Sequence, residues 1–255
     1  MTSLLQMLDC TIRFGGLTAV SSCALRIEPQ ELVSVIGPNG AGKTTMLNMV
    51  TGVYRPTAGR IQFDGRDITG LPPYRIARLG IGRTFQNIRL FKEMSVLDNV
   101  RASRCYAAGY GLLPGVFRTG RFYGRERDIA TEAHRLLELL RLDAHAEETA
   151  KNLSYGDQRR LEIARAMALG PKLLLLDEPT SGMNPVETLE LTQLIAWIRK
   201  EFGLTILLIE HDMSLVMSIS DRVVVLDGGV TIAEGKPEEI QRDPRVIEAY
   251  LGEPA

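Results

Sequence analysis

The nine residues GPNGAGKTT, positions 37–45, constrain this chain more than any other stretch. They match G-x-x-x-x-G-K-[ST], follow the apolar run LVSVIG directly and lead into KTTMLNMVTG, which reads as a helix. Strand, glycine-rich turn and helix in that order form a phosphate-binding loop. Through Gly37, Pro38, Asn39, Gly40, Ala41 and Gly42 the glycines let backbone N–H groups wrap phosphates. Lys43 then neutralises β/γ oxygens, the Thr44 hydroxyl can ligate Mg²⁺, and Thr45 completes the phosphate-binding set.

A second helix start of similar kind lies far downstream in NLSYGDQRRLEIARA, residues 152–166. A small polar residue and a glycine precede a helical pattern. Leu161, Ala164, Ala168 and Leu169 make one apolar face, and Arg159, Arg160 and Glu162 are expected on the wet one. Free N–H groups at such a start can hold an anion. The same residues also fit S-x-x-[DE], in which the Ser154 hydroxyl serves its own helix and Asp157 closes a capping box.

Three further segments carry chemistry. In LLLLDEPTSG, Asp177 emerges at the carboxyl end of a buried strand, where α/β sheets place their ligands, and can hold Mg²⁺ through water. Glu178 follows it, suited to orient or deprotonate an attacking water. LLIEHDMS ends the next strand in the same way and brings His211 to the same edge, in reach of a γ-phosphate or of Glu178 and its water. In GRTFQN, the Gln86 amide can bind Mg²⁺ or water; from the residues alone an ordinary surface glutamine fits as well.

The apolar runs LVSVIG, KLLLLDEP, TILLIEHD and RVVVLDGG predict buried strands of a mostly parallel sheet. PVETLELTQLIAWIRKEFG between two of them is a helix, with Pro185 in its first turn and Gly203 just past its end. SLLQMLDCTIRF, CALRIEP and RIQFDGRDI, the last with an Asp64-Gly65 turn, predict an antiparallel sheet beside that core. From Gln86 to about Asn152 the pattern is helical, with Ile129, Ala133, Leu136, Leu137 and Leu140 on one stripe. Residues 107–124, rich in Gly and aromatics, show neither period and are expected to form a loop.

Thirty Lys and Arg against thirty-one Asp and Glu give no basic field for nucleic acid. The longest apolar runs fall well short of the roughly 20 residues that span a bilayer. The beginning lacks a basic stretch, an apolar stretch and a cleavage site in series, so the chain is expected to stay in the cytoplasm. Cys10, Cys23 and Cys105 lack CxxC spacing and are expected as free thiols.

The ordered set GPNGAGKTT, FQN, LSYGDQ, LLLLDEPTSGMNP and IEHD resembles the nucleotide-binding subunit of ATP-binding-cassette (ABC) transporters over essentially the whole chain. The resemblance implies an α/β P-loop ATPase core with an N-terminal antiparallel β subdomain and an inserted helical subdomain, hydrolysing ATP with Mg²⁺. It implies that Phe14 in RFGGL stacks on adenine, that Gln86 belongs to the Q-loop and reaches the metal, that Glu178 is the catalytic base, and that His211 is the switch histidine. Two subunits face head to tail in this family, and the signature Ser154 and Gly156 would clamp the γ-phosphate held by the other subunit's P-loop. That accounts for the second helix start. Tyr155 stands where glycine is commonest, Asp157 replaces the usual glutamine and adds negative charge near an anion site, and Asn184 in SGMNP stands where aspartate is frequent.

RFGGLTAV, GIGRTFQNIRLFKEMSVLDNV, LSYGDQRRLEIARA and the tail IAEGKPEEIQRDPRVIEAYLG resemble in particular the ATPase subunit of importers for branched-chain and other hydrophobic amino acids; subunits for urea import and lipopolysaccharide export share several of these. The implied partners are a second ATPase subunit, identical or paralogous, and two integral-membrane permease subunits docking near residues 86–99. A periplasmic or extracellular solute-binding protein is an indirect partner. The implied place is the cytoplasmic face of the inner membrane. The expected divisions are residues 1–85 (antiparallel β subdomain and P-loop), 86–160 (helical signature subdomain), 161–235 (rest of the core) and 236–255 (helical tail). Repair ATPases of this type carry long coiled-coil or DNA-binding additions, translation-factor cassettes carry two cassettes, and a P-loop kinase would lack LSYGD and His211.

Overall fold

A computed structural model of the chain describes residues 3–108 and 120–251. Four strands, β1 (Leu5–Phe14), β2 (Leu17–Ile27), β4 (Ala58–Phe63) and β5 (Arg66–Asp67), form an antiparallel sheet in the order β2-β1-β4-β5. The β4–β5 turn uses Asp64 and Gly65, both at positive φ (49° and 72°), as a two-residue hairpin requires. Six strands, β3 (Leu32–Ile36), β6 (Ile81–Arg83), β7 (Leu173–Asp177), β8 (Thr205–Ile209), β9 (Arg222–Asp227) and β10 (Val230–Gly235), form the second sheet in the order β10-β9-β3-β8-β7-β6. Every neighbour pair in it is parallel except β9 with β10.

The central strands are apolar on both faces because both faces are covered. Val33, Val35, Leu173, Leu175, Leu207 and Ile209 point to a core shared with the antiparallel sheet and with α1 (Lys43–Val50). Their alternates Leu174, Leu176, Ile206 and Leu208 face a second core. That core is built with α3 (Val96–Ala108), α4 (Gly120–Leu139), α5 (Tyr155–Met167) and α6 (Pro185–Phe202). A third, smaller core packs Val223 and Val225 against α7 (Met213–Ile219), α8 (Pro237–Ile240) and α9 (Pro244–Leu251). Short α2 (Pro73–Arg78) leads into β6.

The apolar stripe of α4 is buried at every expected position: Ile129, Ala133, Leu136 and Leu137, with Leu140 just beyond the helix. Helix α6 begins at Pro185 and stops at Gly203, whose φ of 59° is the left-handed conformation of a helix end. Two expectations need correction. The aperiodic segment 107–124 is shorter than expected, because α3 continues to Ala108 and α4 begins at Gly120; 109–119 lie outside the described residues. On α5, Arg160 is half-buried, but Arg159 and Glu162 are not on a wet face at all: they are 2% and 4% exposed. They pair with each other at 3.2 Å and make further hydrogen bonds to the backbone of residues 85–89 and, from Arg159, to the Tyr155 hydroxyl, which compensates charges that helical periodicity assigns to solvent.

Candidate functional site

The carboxyl ends of β3, β6, β7 and β8 converge on one edge of the parallel sheet, and the P-loop leaves the first of them. Gly37 (φ 149°) passes so close to β9 that a Cβ there would stand 2.0 Å from the Leu226 carbonyl oxygen. Gly42, at the start of α1, has φ 98° and no room beside the Ala19 carbonyl. The Lys43 ammonium folds back over the loop and donates to the carbonyls of Gly37 (2.6 Å) and Pro38 (2.9 Å). Burial pushes its pKa down, and the nearby Glu178 and Asp177 carboxylates oppose that shift.

A cavity of about 260 Å³ lies over this loop, lined by Ala19, Asn39, Gly40, Ala41, Gly42, Lys43, Thr44, Thr45, Gln86 and Glu178. Gln86 and Glu178, 92 residues apart, meet across it: the Gln86 amide donates to Glu178 Oε2 at 2.8 Å. Asp177, directly before Glu178, is 2% exposed, with Oδ2 accepting from Arg83 at 3.0 Å and Oδ1 meeting no donor among the described residues. Burial raises its pKa, and Arg83 counters this. A buried carboxylate oxygen lacking a protein donor, one residue before the cavity-lining Glu178, fits a Mg²⁺ ion that takes few protein oxygens and keeps its waters. Among the described residues no three His, Cys, Asp or Glu gather into a metal-binding cluster.

His211 follows β8 at the same edge with its side chain 62% exposed. Its recorded neighbour is Glu210, at 3.8 Å from Nδ1, while Glu178 is held by Gln86 instead. Glu210 is fully buried; its Oε1 accepts from the Thr180 N–H and hydroxyl (3.0 and 2.6 Å), and its Oε2 from the His211 N–H (3.2 Å). It therefore links the segment after Glu178 to the histidine. Phe14, at the end of β1, is exposed and meets Tyr54 edge-on with ring centres 5.1 Å apart. Neither ring lines the cavity.

Ser154 and Gly156 also lie outside that cavity. Ser154 caps α5: its Oγ accepts from the Asp157 N–H (3.1 Å) and donates to Asp157 Oδ2 (2.7 Å). With Arg160 3.8 Å from its other oxygen, Asp157 has its charge engaged within its own helix. Asn184 makes the capping box of α6, accepting from Val186 and Glu187 N–H groups while Glu187 returns the bond to its backbone.

Arg83, Glu210 and Tyr54 went unassigned from sequence, and Arg159 and Glu162 were placed on the solvent face. The signal for Glu210 was present, a carboxylate directly ending the apolar run TILLI; for the arginines no local signal marks the distant partner.

A phosphate loop, a carboxylate pair at the end of another strand of the same sheet and a separate signature helix together define an ATP-binding cassette. The ABC transporter family model matches residues 20–181, and a model described as branched-chain amino acid ATP-binding cassette transporter matches residues 230–255. The chain belongs to the ABC transporter family. It is 50% identical, over 98% of both chains, to the high-affinity branched-chain amino acid transport ATP-binding protein BraF of Pseudomonas aeruginosa. It resembles the ADP conformation of MJ1267, an ATP-binding cassette of an ABC transporter (TM-score 0.86, 31% identity, covering 99% of this chain and 100% of that one). A dimeric post-hydrolysis state of the cassette MJ0796 with ADP and Pi also matches (TM-score 0.77, 26% identity, 91% and 98%). Like other members, the chain is an ATPase.

Proposed function

We propose that the chain energises uptake of branched-chain or other hydrophobic amino acids as the ATP-hydrolysing subunit of an importer. The observation that carries the site reading is the Gln86–Glu178 hydrogen bond over the phosphate loop, beside a buried Asp177 oxygen that meets no donor among the described residues. The identity to a branched-chain amino acid transport protein and the match of the tail to a branched-chain transporter model support the substrate class.

In this reading residues 37–45 hold the triphosphate, Phe14 takes the adenine, and Thr44, Gln86 and Asp177 hold Mg²⁺. When bound, that ion neutralises charge on the β- and γ-phosphoryl oxygens. Glu178 orients the attacking water and takes its proton. His211, exposed at the same edge, turns to the γ-phosphate when the site is filled. Ser154 and Gly156 serve the nucleotide of a second subunit, because they lie away from the loop of their own chain. Two integral-membrane subunits dock near residues 86–99 on the cytoplasmic face of the inner membrane, and a solute-binding protein delivers the amino acid from the other side. The divisions at residues 85, 160 and 235 separate phosphate loop, signature helices, remaining core and tail.

Uptake of labelled leucine by cells carrying the chain, a deletion or Glu178→Gln tests the whole reading. Uptake lost in both altered strains is the expected result; uptake kept in either one would overturn it.

A further inference from the structure

Tyr155 occupies the signature position where a side chain is least expected, and its own chain uses it. The ring lies against Gly182: a Cβ on that glycine, whose φ is 83°, would meet Tyr155 Cε1 at 3.3 Å. The hydroxyl donates to the Ser181 carbonyl at 2.9 Å and accepts from Arg159 Nη2 at 3.0 Å. Arg159 is buried, and its guanidinium also donates to the carbonyls of Phe85 and Gln86. Gln86 reaches Glu178 with its side chain, and Ser181 donates its N–H to the Glu178 carbonyl at 3.2 Å. The links therefore close into a circuit through Gln86, Glu178, Ser181, Tyr155 and Arg159.

Two physical facts give that circuit a task. Glu178 has φ 47°, a left-handed conformation that a glutamate holds only when its surroundings impose it. The following turn is pinned on one side by Thr180 on Glu210 and on the other by Ser181 on Tyr155. A hydroxyl that accepts from a buried guanidinium is also a stronger donor to the next carbonyl.

We propose that Tyr155 is a positioning residue for hydrolysis, fixing through Ser181 the turn that aims Glu178, and coupling that turn through Arg159 to the Gln86 segment. The proposal rests on Glu178 acting on the water, as above. Its hydroxyl touches neither the phosphate loop nor the cavity. Removing it leaves nucleotide binding intact and slows turnover.

The test is steady-state ATP hydrolysis by the chain, wild type against Tyr155→Phe, with rates expressed per nucleotide-binding site. Phenylalanine keeps the ring on Gly182 and deletes only the hydroxyl. The expected result is kcat lower by about five- to tenfold, with KM and the affinity for a fluorescent ATP analogue within about twofold of wild type. In a Glu178→Gln background, ATP-driven dimerisation should be unchanged by Tyr155→Phe. A kcat within about twofold of wild type, or a loss of affinity equal to the loss of rate, overturns the proposal. A weakened dimer also overturns it, by moving the tyrosine's action to the subunit interface. Near-normal turnover by Glu178→Gln alone would instead sink the assignment of Glu178, and the coupling with it.

Discussion

Arg83 holds Asp177 in a buried ion pair, with Nη2 3.0 Å from Oδ2 and side chains only 6% and 3% exposed. The same guanidinium donates to Asn48 on α1 and to Thr51 just past its end, so one side chain ties the phosphate-loop helix to the strand that ends in Asp177. Arg83→Met leaves a buried carboxylate unpaired and should cost about 3–5 kcal/mol in urea unfolding. The double variant Arg83→Met/Asp177→Asn removes that charge and should recover part of the loss. Additive losses would show that the pair is not what holds this region.

Among the described residues Lys43 has no carboxylate within hydrogen-bond reach, and it rests on two carbonyls of its own loop. A triphosphate offers it a better partner, so Lys43→Ala should weaken binding of a fluorescent ATP analogue by about 10- to 100-fold. Unchanged affinity would remove Lys43 from the site.

The parallel sheet and the phosphate loop were legible because they are written locally: an apolar run, glycines where φ is positive, then a helix. Asp177 and Glu178 were legible for the same reason, as strand-end carboxylates. Arg159 and Glu162 were misassigned because periodicity sorts residues by polarity, whereas these two satisfy one another and a backbone segment some 73 to 77 positions earlier. Arg83 was silent for a related reason, its partner Asp177 being 94 residues away. The departures at Asp157 and Asn184 lose their oddity in the fold: Asn184 caps its own helix, and the Asp157 carboxylate is engaged by the Ser154 hydroxyl and Arg160 of its own chain.

Cys10 and Cys23 face each other on β1 and β2, both fully buried, and burial pushes the Cys23 thiol up to about 11. A thiol raised in this way stays protonated through neutral pH, and its reactivity grows only as pH climbs toward that value. Iodoacetamide at pH 8 should label Cys105, the partly exposed one, and reach the other two only after denaturation. Fast native labelling of Cys10 or Cys23, read by mass spectrometry, would contradict the packing of this sheet.

Asn184 accepts two backbone N–H groups at the start of α6. Asn184→Ala should lower stability by about 1 kcal/mol, while Asn184→Asp should be close to neutral. Equal losses in both variants, measured by chemical denaturation, would mean that the asparagine amide has another partner.

The central claim is that Ser154 belongs to the nucleotide of a second subunit although it caps its own helix. The most direct measurement is size-exclusion chromatography with ATP on Glu178→Gln, with and without Ser154→Arg, beside an ATP-binding titration of the monomer. The account predicts that Glu178→Gln dimerises on ATP addition, and that the double variant binds ATP as a monomer with little loss yet fails to dimerise. A double variant that still dimerises, losing only about 1 kcal/mol of stability as for a removed cap, would contradict it, and so would a monomer whose own affinity for ATP falls first.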